Sequence, residues 1–282
     1  LALLTGMRLG EWSSVLLPEL GIDPAQLCRP REGVTFRLGA CAKNQRPREV
    51  HVPRAALDST ATYLSMERGH VVDAAQAGLA KRRADLFIVK PVQHERGALR
   101  GVLDGATVSR RITDMPPRLR RITVMDTGDR LEPMGVFIGT GGWMPHPSTW
   151  DKIRWRAWER MRKHADHPAA APLPTLPWLF HDLRHTFALR LLLFLMRKAV
   201  ADAADLPMTT LTDHIARNPL LEVQRRLGHA NPASTYIYLR YLTDPMAEVD
   251  EAFREWTDRD ASYAEIGQTL FTAVGVADAP QR

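Results

Sequence analysis

Arg8, Arg184 and Tyr238 are of residue types that suit chemistry on a phosphodiester. Such an ester is stable because its anionic oxygens repel nucleophiles, and its phosphorus gathers equatorial charge as it becomes five-coordinate during attack. A guanidinium stays charged at any working pH and can hold two oxygens in a fixed fork, so two of them, Arg8 and Arg184, could neutralise that charge. Pre-aimed donors of this kind typically contribute about 3 kcal/mol each to the transition state. Tyr238 is a candidate nucleophile: a phenol forms a phosphoryl ester that can be reversed without water. With a reference pKa near ~10 it needs help to lose its proton, and His181 or Lys43 could give it.

The neighbours of these residues refine the reading and leave alternatives open. Arg8 and Glu11 are one helical turn apart, so Arg8 could equally form a surface ion pair. His181 and Arg184 share a helical face, and His185, on the same side, fits a buried histidine bonded to backbone better than a catalytic one. His229 follows Gly228 at a helix stop, where it is a cap residue or, held rigidly there, a hydrogen-bond donor to phosphate. Tyr236 would lie on nearly the opposite side of a helix from Tyr238, whereas Tyr241, one turn on, competes for the same direction.

Four segments, in order, resemble the boxes of the phage-integrase (tyrosine recombinase) family. Thr5-Gly6-Met7-Arg8-Leu9-Gly10-Glu11 is similar to T-G-x-R-x-x-E, and Lys43 lies in a turn between two strands, followed by Arg46-Pro47-Arg48. His181-Asp182-Leu183-Arg184-His185 is similar to H-x-L-R-H, and Leu227-Gly228-His229 with Tyr238 to L-G-H-x8-Y. The resemblance implies a mainly α catalytic domain with a small antiparallel β-sheet (α+β). It implies cleavage and rejoining of double-stranded DNA through a 3′-phosphotyrosyl intermediate, with Tyr238 as nucleophile, Lys43 as the acid for the departing 5′-oxygen and Glu11 in support of Arg8. It further implies no metal or nucleotide cofactor, a homotetramer on synapsed DNA with DNA-bending accessory proteins, and a mobile-element role in the bacterial or phage-infected cytoplasm, at the nucleoid.

Three rival readings remain. His181 and His185, at i and i+4 with an acid second, superficially match the H-E-x-x-H zinc motif, although the acid is Asp182 and Arg184 would oppose the metal's charge. Type IB topoisomerases use a similar arginine, histidine and tyrosine set to relax supercoils. A DNA-binding module without catalysis is the third.

The elements that must position these residues are mostly helical. Leu9, Trp12, Ser13 and Leu16 predict a helix over 7–17, and the alternations Val34/Phe36/Leu38 and Val50/Val52 predict two strands across the Asn44–Pro47 turn. Leu57, Ala61 and Leu64 follow Pro53 as a further helix. Ser148 with Asp151 predicts a helix start, His181–Lys198 a long apolar helix, Asn218-Pro219 a capped helix ending at Gly228, and Asp244-Pro245 a last helix carrying Met246, Val249, Phe253 and Trp256. Residues 165–177 read as a linker. Residues 70–135, with an arginine-rich run from Arg110 to Arg121, read as an insertion that is either solvated or in contact with a DNA backbone. The stretch from Arg184 to His229 is longer than in compact family members, with 199–216 as its surplus.

The whole chain, 1–282, reads as one catalytic domain with a 244–282 helical tail. It begins at Leu1 without an initiator Met, so it reads as a fragment lacking the N-terminal core-binding domain. Composition is that of a globular protein, 45% hydrophobic and 25% charged, and the net charge of +6 suits a polyanionic partner. Cys28 and Cys41 form no metal or disulfide framework and read as reduced intracellular thiols. No apolar run reaches membrane-spanning length, and no signal peptide is legible.

Overall fold

The computed structural model describes residues 1–28, 30–91, 97–165, 176–205 and 218–238. It is an α+β structure that divides into two compact units, Leu1–Phe187 with Arg226–Gly228, and Ala188–Arg225 with His229–Arg282. Among the described residues no helix is long and apolar enough to cross a membrane.

The first unit opens with two single-turn helices, α1 (Ala2–Thr5) and α2 (Leu9–Trp12), separated by Gly6 at φ 65°. The expected helix over 7–17 is cut short. Val136 N–H donates to Val15 O at 3.0 Å and Leu17 N–H to Met134 O at 2.9 Å, so the backbone beyond Trp12 pairs in strand fashion before a 3₁₀ turn at Leu17–Leu20. Strands β1 (Val34–Leu38) and β2 (Arg48–Val52) form the expected antiparallel pair, in register from Val34↔Val52 to Leu38↔Arg48. Helix α3 (Arg54–Tyr63) runs through a π-helical turn (Leu64–Arg68) into α4 (Gly69–Lys81).

Residues 70–135 hold more than an insertion of loops. They build a five-stranded mixed sheet from β3 (Phe87–Val89), β4 (Ala98–Leu103), β5 (Ala106–Arg111), β6 (Thr123–Asp126) and β7 (Leu131–Pro133), in the order β5-β4-β3-β6-β7. Only the β3–β6 pairing is parallel. One face buries Phe87, Val89, Leu99 and Met125 with Leu16, Met134 and Met144; the other packs Val124 and Leu131 against Ala75 and Leu79 of α4. Gly101 is required where β4 meets β3, because a Cβ there would stand 2.1 Å from Ile88 O.

The arginine-rich run is therefore not uniformly a solvated or DNA-facing surface. Arg120, on the short helix α5 (Pro117–Arg121), is 1% exposed and donates to Glu19 through both terminal nitrogens and to the carbonyls of Ser14, Ile112 and Met115. Arg68, at the end of the π turn, is likewise buried on Glu132 and on the carbonyls of Pro133 and Gly135. These two cations fasten the first helices and the α3–α4 run to the sheet segment.

Helix α6 (Pro147–Lys163) starts two residues ahead of the Ser148 cap expected from sequence, with His146 as N-cap accepting from Ser148 N–H and Pro147 at the first helical position. Trp150 from α6, Trp12, Phe137 and Phe180 meet edge to face except for the tilted Trp12–Phe180 pair, with Trp12 and Trp150 centroids 4.8 Å apart, and so join α2, α6 and the start of α7 (Phe180–Asp205). Helix α8 (Pro219–Leu227) begins where Asn218 Oδ1 accepts from the N–H groups of Leu220 and Leu221, and it ends at Gly228, φ 64°. A four-residue helix, α9 (Ala233–Tyr236), closes the described part of the second unit. The expected helix from Asp244, with Met246–Trp256, lies outside the described residues, as does most of the 165–177 linker.

Replacing Arg120 with Met leaves the Glu19 carboxylate buried without its counter-charge, and the expected loss of stability is about 3–5 kcal/mol. Its exposed neighbour Arg118, changed in the same way, should shift stability by no more than about 0.5 kcal/mol. Urea denaturation of both variants checks this, and equal midpoints would show the buried pair to be dispensable.

Candidate functional site

Arg184 joins three of the four sequence boxes. It is 1% exposed on the first turns of α7; Nη1 donates to Gly6 O and Nη2 to Leu227 O, each at 2.5 Å. Gly6 is a position only glycine fits: its φ is positive, and a Cβ would stand 2.5 Å from the Phe187 ring, one turn along from Arg184. The two bonds use two of a guanidinium's five N–H donors.

Arg8 is held from its own helix. Glu11 Oε2 accepts Arg8 N–H at 2.7 Å, which starts α2, and Oε1 accepts from Arg8 Nη1 at 3.2 Å. The two form an ion pair, but not the surface pair that spacing allowed: the Arg8 side chain is 22% exposed and Glu11 2%. Sequence reasoning missed the second partner. Arg48, at the start of β2, grips the same carboxylate with Nη1–Oε1 at 2.7 Å and Nη2–Oε2 at 2.6 Å. Burial pushes the Glu11 carboxyl up, but the hydrogen bonds and charge of Arg48, with those of Arg8, overcome it and hold the group down at about 2. The signal was present in the alternation of β2: Arg48, Val50 and Val52 share one face, and an arginine on the buried face of a strand demands an anion.

His181 and His185 sit one turn apart on α7 with rings edge to face, 4.5 Å between centroids. Burial lowers the pKa of His181, and the charges of His185, Arg184 and Arg8 lower it further against the opposing effect of Asp182. Both arginines therefore act on this imidazole electrostatically. His185 is lowered chiefly by burial. His181 is thus neutral at pH 7 and keeps a lone pair able to accept a proton. Among the described residues no group of three or more His, Cys, Asp and Glu side chains is arranged to hold a metal ion. Lys43 is exposed in the turn between β1 and β2, which Asn44 and Gln45 close at φ 57° and 51°. Its hairpin is tied to the first box through Arg48.

His229 and Tyr238 belong to the second unit and lie together in it. Reciprocal bonds between His229 and Gln224 (N–H to O at 3.1 Å, Nε2 to O at 3.2 Å) fix the backbone just past α8, and His229 Nδ1 lies 3.0 Å from Thr235 Oγ1. The Tyr238 ring stacks beside the imidazole, 6.3 Å between centroids and 12° between planes. Tyr238 is 1% exposed while Tyr236 is 53% exposed. Tyr241 lies outside the described residues.

No protein-family model matches the chain, and no curated protein matches it in sequence. Among solved structures, it is similar to the Tn1549 transposon integrase in complex with a circular-intermediate DNA, at 14% identity and a TM-score of 0.34 over 84% of this chain and 51% of that one. The same integrase in complex with transposon right-end DNA matches at 14% identity and a TM-score of 0.37, over 92% of this chain and 57% of that one. The chain spans about half the length of the structures it matches.

Because Arg8 contributes to the depression of His181, replacing Arg8 with Gln should move the His181 titration midpoint up toward the ordinary imidazole value, with His185 unaffected. NMR of the imidazole C–H resonances measures both midpoints, and a His181 midpoint indifferent to the loss of Arg8 would separate the two residues.

Proposed function

We propose that the chain is a DNA strand transferase of the tyrosine-recombinase type. The single observation that carries the reading is the Arg184 guanidinium bonded to Gly6 O and Leu227 O, which unites segments far apart in sequence that each bear one of the required residue types.

In this reading Arg8 and Arg184 neutralise the non-bridging oxygens of a phosphodiester. Tyr238 Oη attacks phosphorus, the P–O bond to the 5′-oxygen breaks, and a 3′-phosphotyrosyl ester forms. The leaving 5′-oxygen takes a proton from Lys43, while neutral His181 can accept the phenolic one. His229 donates to a phosphate oxygen. Attack by a second 5′-hydroxyl reverses the sequence on a new partner strand, so neither water nor an external energy source enters the balance. Glu11 supports Arg8. Synapsis of two double-stranded DNA sites by four protomers, help from DNA-bending proteins and a place in the cytoplasm of a host cell, in the service of a mobile element, complete the proposal.

A nicked suicide substrate, which loses its short leaving strand after cleavage, tests it. The native protein should form a covalent adduct that resists denaturation, Tyr236→Phe should retain it, and Tyr238→Phe should abolish it. Arg8→Ala should slow adduct formation by about 100- to 1000-fold. An adduct that survives in Tyr238→Phe refutes the nucleophile assignment.

A further inference from the structure

We infer that Arg48 is a positioning residue for Arg8, acting through Glu11, and that it couples the Lys43 hairpin to the arginine box; the inference rests on the strand-transfer reading above. Its side chain is 7% exposed, and it meets both carboxylate oxygens of a 2% exposed Glu11. A paired fork of this kind fixes the plane of the carboxylate as well as its position. Glu11 in turn offers Oε2 to the Arg8 backbone and Oε1 to the Arg8 guanidinium, so the same plane sets both the start of α2 and the direction of the Arg8 side chain.

Arg48 also has a second contact. Its Cδ occupies the space beside Gly228, where a Cβ would come within 2.8 Å, and Gly228 adjoins the Leu227 carbonyl that Arg184 holds. One arginine, directly after the Arg46-Pro47 end of the Lys43 turn, therefore touches the first box and the last. Were its role only to neutralise a buried carboxylate, a cation on one oxygen would suffice, and contact with Gly228 would be incidental. The fork and the second contact point to positioning.

The groups facing Glu11 are Arg8 and Arg48, with the Cys41 thiol close enough to feel its charge. With Arg48 in place Glu11 stays ionised down to about pH 2. Without it, burial dominates and the carboxyl protonates at a higher pH. The depressed pKa means that this contribution is fully present above the unfolded carboxylate value and is lost as pH falls toward the folded one; removing Arg48 moves that loss upward.

Arg48→Met and Arg48→Lys, made in the full chain, test the inference with the adduct assay and with the His181 titration. Arg48→Met should slow adduct formation by about 100-fold, the effect of a misplacement near 1 Å. The acid limb of its rate profile should move to higher pH, and the His181 midpoint should rise in the direction expected for Arg8→Gln, because Arg8 would drift. Arg48→Lys, reaching one oxygen, should fall between Met and native in all three. A folded Arg48→Met with native acid limb and native His181 midpoint overturns the inference, whatever its rate. If Arg48→Met does not fold, a native profile and midpoint in Arg48→Lys overturns it instead. The titration reads Arg8 placement without catalysis, so a native protein that forms no adduct would sink the strand-transfer reading while leaving the positioning question answered.

Discussion

The Arg184 guanidinium, buried between the carbonyls of Gly6 and Leu227, is the interaction on which the site in the first unit depends. A cation with 1% exposure is tolerable only where hydrogen bonds replace its water, so each carbonyl it meets is a geometric requirement on the chain that carries it. Gly6 can present its carbonyl because a positive φ ends α1 there and the absent Cβ admits Phe187. Leu227 can do so because it is the last residue of α8, where helical carbonyls have no partner along the helix. Two helix ends thus supply acceptors that would otherwise be unsatisfied, and one side chain from α7 uses both.

Much of this was legible in the sequence, because helix stops and strand alternation are local. Asn218-Pro219 and Gly228 bound α8 as their chemistry demands, and the two alternating runs around Asn44–Pro47 pair as expected. The five-stranded sheet was not legible. β3 is only three residues long, β4 is broken by Gly101, and β5 is exposed at nearly every position, so no period could emerge. What stabilises that sheet is non-local: α4 on one face and Leu16 with the methionines on the other. The early end of α2 has the same cause, since Val15 and Leu17 find backbone partners around Met134 and Val136, more than a hundred residues away in sequence.

The site residues divide along the same line. Arg8, Glu11 and Arg184 could be singled out from local spacing, because a helical turn fixes which residues share a face. Arg48 could not be paired with Glu11 in advance, although its place on the inward face of β2 announced the need for an anion. The net charge of +6 survives the use of arginines inside the fold: Arg68, Arg120 and Arg48 pair with Glu132, Glu19 and Glu11, so these pairs cancel in the total while tying together segments distant in sequence.

In the strand-transfer reading proposed above, that use of arginines bears on how a phosphate would be received. A guanidinium free in solvent would lose conformational entropy on meeting its ligand, and its attraction would be screened by water. Here the restriction is imposed during folding: Arg48 fixes the Glu11 plane, Glu11 directs Arg8, and Arg184 is held by two carbonyls before any ligand arrives. Gly228 shows how closely these constraints interlock. A side chain there would have to adopt a left-handed φ of 64° and displace the Arg48 stem, 2.8 Å from its Cβ. The residue that ends α8 is thus limited to glycine by backbone conformation and, independently, by the arginine that grips Glu11.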